Sequence, residues 1–414
     1  MEGSGRCASP VGSPLIGGNR KNETLSGASL LSKDLRSEDI RRAKTLCLYG
    51  REFDDDIVEY VVTQLLPEAQ GLIKIEITDT QISAKGMKTL TRAIWTNSPC
   101  EKLEELVFHN IHMHYEETTQ LKEVIMKNRK HLRRLIIQNC HMNDSAAEPI
   151  VQAIGHCESL QEVSFVDNDV TQAVVLPTER GDVFPPSLRL LDLSGNRMEA
   201  NHFVGLGNAI SRCAPTLEEL YLAHCCVTTD GLRTLLYSGL YNSSSLSTVN
   251  VSSGRLLHTS GPLLRSLLSE CPNIQRLYIQ DNLIEADGAA HISLGIPCAK
   301  RLIVLGLGKC HLGGRGARLI IEAVQQSASL RELDLSGNNI GDEDVHHLCM
   351  CNEETPMPLA LLDLSENPIS ENCRSSLQAF MMRHRETPCV VVVRGTTLAG
   401  RSSYLDCTDK SWVC

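Results

Sequence analysis

The run His346-His347-Leu348-Cys349-Met350-Cys351 puts two imidazoles and two thiols within six residues, the donor set of a zinc site. Spacing argues against that chemistry. On a helix adjacent histidines point about 100° apart, and cysteines two residues apart diverge as well, so the donors do not converge. His109, His112 and His114 sit around one turn in the same non-convergent way. For catalysis the chain lacks a GxxxxGK[ST] phosphate loop, a GxSxG elbow, an HExxH pair and a kinase signature. Ser336 stands beside Gly337 but has no base at a defined spacing. No catalytic residue, metal or cofactor is therefore expected, and the remaining chemistry is recognition by aromatic and charged side chains that recur at one interval.

That interval belongs to the elements that must position them. Leu330–Asp342 reads LRELDLSGNNIGD and Leu359–Ser370 reads LALLDLSENPIS. The same frame starts at Ala43, Leu72, Leu103, Leu132, Leu160, Leu188, Leu217, Leu246, Ile274 and Leu302, making twelve copies 28 or 29 residues apart except for one interval of 31. Positions 1, 4, 6 and 11 are apolar in all 48 cases, although only 42% of the chain is hydrophobic. A fixed period of this size is the mark of a repeat array. Alternation over positions 3 to 7 predicts a strand with one buried face. Position 9 predicts a buried turn, where Asn168, Asn196, Asn282, Asn338 and Asn367 could satisfy backbone groups on both sides. The second half of each unit spaces apolar residues by three and four, as in Thr119–Met126, Pro149–Ile154 and Arg318–Gln325, and predicts a helix. A strand, a helix and a return to a parallel strand fit 28 or 29 residues. Helices are wider than the strand spacing, so the stack must curve with its strands inside.

Seventeen cysteines fit the same lattice. Cys140, Cys225 and Cys310 occupy position 9, while Cys100, Cys157, Cys213, Cys271 and Cys298 fall three or four residues before the next unit. Recurrent placement makes them small buried hydrophobes with a weak donor, not a disulfide framework. Net charge is −10, without clustered Lys and Arg, which excludes broad nucleic-acid binding. No apolar run approaches the ~18 residues of a membrane span, so a cytoplasmic protein is expected.

The pattern LxxLxLxx(N/C)xL followed by a helix resembles the ribonuclease-inhibitor type of leucine-rich repeat, over roughly residues 43–385. The resemblance implies an α/β horseshoe solenoid of about twelve repeats, with a concave parallel sheet and convex helices. It also implies protein binding, usually without catalysis. The expected organisation is a disordered tail over 1–31, the solenoid with an N-terminal helical cap over 32–386, and a capping strand (Cys389–Val393) with a polar tail over 387–414. Prolines 177, 185 and 186 forbid a normal helix in the fifth unit, over Val170–Ser187.

Positions 3, 5 and 7 face the concave side. Position 5 brings Asp192, Tyr221, Asn250, Tyr278, Asp334 and Asp363 into one row, with the two tyrosines two strands apart; position 3 adds Glu219, Arg276 and Glu332. Over the three positions there are eight acidic residues and three basic ones, and Val107, Ile136 and Val166 suggest an apolar patch in the early units. Tyr221 and Tyr278 are expected to anchor a protein partner, with the acidic end steering a basic one. Two alternatives remain open at this point: activation of a small GTPase, from the likeness to the Ran GTPase-activating protein, and a structural place in a ciliary or cytoskeletal assembly. Oligomeric state is left open.

Overall fold

Four apolar anchors per unit cannot be buried within one unit, so each must close against the next. The computed structural model describes residues 24–26, 30, 35–96, 100–175, 183–351, 359–383, 389–397 and 404–405. All 48 anchors except the half-buried Ile82 are buried, in one continuous core from Leu25 to Val393. The strands are β1 (Thr24–Ser26), β2 (Thr45–Tyr49), β3 (Lys74–Thr78), β4 (Glu105–His109), β5 (Arg134–Gln138), β6 (Glu162–Ser164), β7 (Leu190–Asp192), β8 (Glu219–Tyr221), β9 (Thr248–Asn250), β10 (Arg276–Tyr278), β11 (Val304–Gly306), β12 (Glu332–Asp334), β13 (Leu361–Asp363), β14 (Val390–Val392) and β15 (Tyr404–Leu405). They form one open sheet in chain order. β1 to β14 pair in parallel, equivalent positions opposite one another as in Tyr221↔Asn250 and Asn250↔Tyr278; β15 returns antiparallel to β14. Helices such as Ala84–Thr96, Tyr115–Lys127, Asp144–Ile154 and Gly313–Gln325 cover the opposite side, completing a horseshoe solenoid.

The buried turn is built as position 9 requires. Asn168 Oδ1 accepts from the amides of Cys140 and Met142, both at 3.1 Å, and its Nδ2 donates to the carbonyl of Ile137 at 2.9 Å. Where cysteine stands instead, the thiol donates to the equivalent carbonyl of the preceding unit: Cys225 to Leu193 at 3.0 Å, Cys310 to Ile279 at 3.2 Å, Cys140 to Phe108 at 3.6 Å. The acceptor role passes to the backbone. Met113 N–H donates to the Cys140 carbonyl and Met198 N–H to that of Cys225. The residues after the three cysteines, His141, Cys226 and His311, have positive φ, which turns those carbonyls toward the previous unit.

Position 8 is left-handed from Gly50 to Gly395 whatever residue stands there, including Lys309 (φ 54°) and Glu366 (φ 57°). At Gly337 (φ 61°) glycine is needed twice over, because an added Cβ would lie 2.8 Å from Lys309 Cγ, on the side chain that crosses it to reach Glu366 at 2.9 Å. A second lock joins the helical starts. Asp55 accepts from Ser83, Asp144 from Thr171 and Asp342 from Ser370, in each case from the backbone amide and the hydroxyl of the next unit.

The expected tail over 1–31 needs correction at its end. Thr24–Ser26 pairs with β2, and Leu25 and Leu30 are buried, because the first unit would otherwise leave its core open. The rest of that tail lies outside the described residues. The N-terminal helix spans Ser37–Arg42, and the closing strand falls where Cys389–Val393 placed it. In the fifth unit the described residues, 170–175 and 183–187, form turns in place of a helix; Pro177 lies outside them.

Candidate protein-binding face

The concave rows divide into two halves of different electrostatics. In the first, every carboxylate has a cation within ion-pair distance on its own or a neighbouring strand. Lys74 lies 2.8 Å from Glu76 and 3.8 Å from Glu105; Arg134 lies 3.9 Å from Glu105 and 2.7 Å from Glu162. Val107, Ile136 and Val166 are only 4–8% exposed, so they fill this ladder and offer no apolar patch. Strand neighbours about 4.8 Å away on either side cover a short side chain on a concave surface.

The second half holds the nine residues expected to bind. Tyr221 is only 8% exposed, and its hydroxyl donates to Glu219 Oε2 at 2.5 Å. Burial and that carboxylate push the phenol pKa up. Glu219 in turn accepts from Arg276 Nη2 at 3.4 Å, while Arg276 Nε donates to Thr248 Oγ1 at 3.0 Å. Tyr221 is thus a covered member of a Tyr–Glu–Arg bridge and does not stand proud. Tyr278 is half-buried, flanked in register by Asn250 and by Gly306, which has no side chain, so it is the more exposed of the pair.

The aspartates have a structural task that the sequence reading missed. Asp192, Asp334 and Asp363 accept from the amides of Ser194, Ser336 and Ser365 at 3.0, 2.9 and 2.8 Å, and Asn250 accepts from Ser252 in the same way. The signal was present as the thrice-written LDLS (191–194, 333–336, 362–365). Asp192 is recessed at 3% exposure, and burial pushes its carboxyl up to about 6. Burial also raises Asp334, half-buried beside Asp363, its register partner on β13. Glu332 is exposed. Among the described residues no lysine or arginine comes within ion-pair distance of Asp192, Glu332, Asp334 or Asp363.

At the histidine and cysteine clusters, His346 Nδ1 is 2.6 Å from Ser376 Oγ, Cys349 is buried, and His112 stacks on His141 with ring centroids 4.6 Å apart. Thirteen cysteines, from Cys47 to Cys389, are free thiols, and burial pushes Cys140 and Cys310 up to about 12. No helix among the described residues is long and apolar enough to cross a membrane.

Comparison with known proteins agrees with this architecture. The Leucine Rich repeat family profile matches residues 213–236 and 326–349. The chain is 23% identical to ribonuclease inhibitor of Sus scrofa over 394 residues, covering 81% of this chain and 86% of that protein. It is 24% identical to NACHT, LRR and PYD domains-containing protein 5 of Homo sapiens over 356 residues, 78% of this chain but only 29% of that protein's length. Among solved structures, a chain of the yeast Rad7 and Elc1 complex superposes with a TM-score of 0.51 at 14% identity, over 83% of each chain, which speaks to the fold alone. Solenoids of this kind typically present an extended concave surface for protein partners. In its repeat unit and its turn chemistry the chain is a leucine-rich repeat solenoid, and it is similar to the ribonuclease-inhibitor type.

Proposed function

We propose that this chain is a non-catalytic binding scaffold whose concave face over β10–β13 receives a basic segment of a protein partner. One observation carries the reading. Every carboxylate of the ladder from Lys74 to Glu162 has a cation within ion-pair distance, whereas among the described residues Glu332, Asp334 and Asp363 stand side by side with none. Opposed potentials raise the association rate and exclude like-charged competitors. Tyr278 supplies the aromatic contact at the edge of this field, and Glu219 and Arg276 set its border.

The test is a charge reversal, Glu332→Lys/Asp334→Lys/Asp363→Lys, set against Glu270→Lys/Glu322→Lys/Glu343→Lys on the helical side. Proximity labelling in the native cell should lose basic neighbours with the first variant and keep them with the second. Identical neighbours for both variants and the unaltered protein would sink the proposal.

A further inference from the structure

β11 is almost bare on the concave side. Its inward-curving positions are Val304, Gly306 and, just past the strand, Gly308. Full-sized side chains flank it in register: Arg276 and Tyr278 on β10, Glu332 and Asp334 on β12. Two strand spacings separate these walls, about 10 Å. A trench one strand wide therefore runs along β11, with an aromatic wall on one side, an acidic wall on the other and a floor covered by the Gln280 and Asp334 side chains.

The glycines let the walls lean inward. A Cβ on Gly306 would meet Gln280 Nε2 at 2.3 Å, and one on Gly308 would meet Asp334 Oδ2 at 2.7 Å. Gln280 and Asp334 thus reach over the strand from opposite sides, and Gln280 Nε2 contacts Asp334 Oδ2 at a long 3.4 Å. Ser336 occupies the other oxygen, Oδ1, through its amide at 2.9 Å and its hydroxyl at 2.6 Å. Oδ2 keeps spare acceptor capacity toward the trench, because a carboxylate oxygen takes about two hydrogen bonds.

Resting on the reading above, we infer that this trench is the seat of an arginine side chain from the partner, its guanidinium standing edge-on between the walls, with one edge toward the Tyr278 ring and the other donating to Asp334 and Glu332. The dimensions suit it. A planar group midway between walls 10 Å apart sits within about 6 Å of a ring centroid, the range of cation–π attraction. Arginine fits better than lysine because its planar guanidinium, standing edge-on across the trench, can point N–H groups at the ring from one edge and donate to two acceptors from the other. Asp363, one strand beyond Asp334, extends the acidic wall outward.

Fluorescein-labelled hexa-arginine, hexalysine and hexacitrulline, titrated into the full chain and followed by anisotropy at low salt, test the assignment. Hexa-arginine should bind several-fold more tightly than hexalysine, and the neutral hexacitrulline should not bind. Gly306→Val adds bulk to the trench without changing charge; the atoms nearest its Cβ belong to Gln280's flexible end, and affinity should fall about tenfold. Tyr278→Leu should lose about as much and Tyr278→Phe almost nothing, a pair that keeps the test alive if the valine variant folds poorly. Equal affinity for lysine and arginine overturns the arginine assignment. If Gly306→Val and Tyr278→Leu bind as the unaltered chain does while the triple acidic reversal does not, the trench is refuted and the acidic face stands. If the unaltered chain ignores hexa-arginine, both fall.

Discussion

Asn338→Ala is the sharpest perturbation of the stack. Asn338 is wholly buried; its Oδ1 accepts from the amides of Cys310 at 3.0 Å and Leu312 at 3.2 Å. Its Nδ2 donates to the carbonyls of Leu307 at 2.7 Å and Ser336 at 3.1 Å. Alanine strands two amide donors of the preceding turn away from water. At about 1–3 kcal/mol for each stranded donor, the variant should lose on the order of 3–5 kcal/mol. Asn338→Cys should lose less, by about the 1 kcal/mol of one hydrogen bond, since a thiol at this position can still donate to Leu307, as Cys310 does to Ile279. Urea unfolding measures the global loss. Because a repeat array can melt in pieces, hydrogen exchange at the amides of Cys310 and Leu312 reports the local one. An alanine variant that costs under about 1 kcal/mol, or no more than the cysteine variant, would refute the reasoning.

Burial raises the Asp192 carboxyl pKa to about 6, against an ordinary 3.8. A raised value stabilises the fold below pH ~4 and loses that contribution as pH climbs through ~6; Asp192→Asn should flatten this slope and stabilise the protein at pH 7.5, as read from thermal midpoints against pH. Ser253 has φ 51° at position 8, so Ser253→Gly should gain up to about 1 kcal/mol, while Gly337→Ala should lose about 1–2 kcal/mol in the same urea assay. A thiol reagent at neutral pH should modify the exposed Cys298 quickly and leave Cys140, Cys157, Cys213 and Cys310 unmodified until unfolding; mass mapping of the labelled peptides would decide it.

The period and its anchors were legible because apolar spacing is imposed by the backbone, so Leu333 or Ile279 could be placed without knowing its neighbours. The Asn/Cys exchange at position 9 was legible for the same reason, since both side chains can donate to one carbonyl. Position 8 was not. His224, Ser253 and Lys309 share no chemistry, and their left-handed φ is set by pairing with the next unit. β1 escaped notice because Leu25 lies off the period and Gly27 stands where the next anchor would fall. The candidate face was legible as a row but not in relief. Which tyrosine is covered depends on the reach of Glu219 and Arg276 toward each other, and the bareness of β11 matters only once Gln280 and Asp334 are seen lying over it.

Position 8 also has a consequence for how such a chain can change over time. Its dihedral angles are held by hydrogen bonds from the following coil, yet its side chain points into solvent and owes nothing to the interior. Asp, Asn, His, Ser, Lys and Glu all stand there in one molecule. The rim of the horseshoe is thus a surface on which substitutions accumulate without altering curvature, and new recognition chemistry can be written there before any leucine has to move.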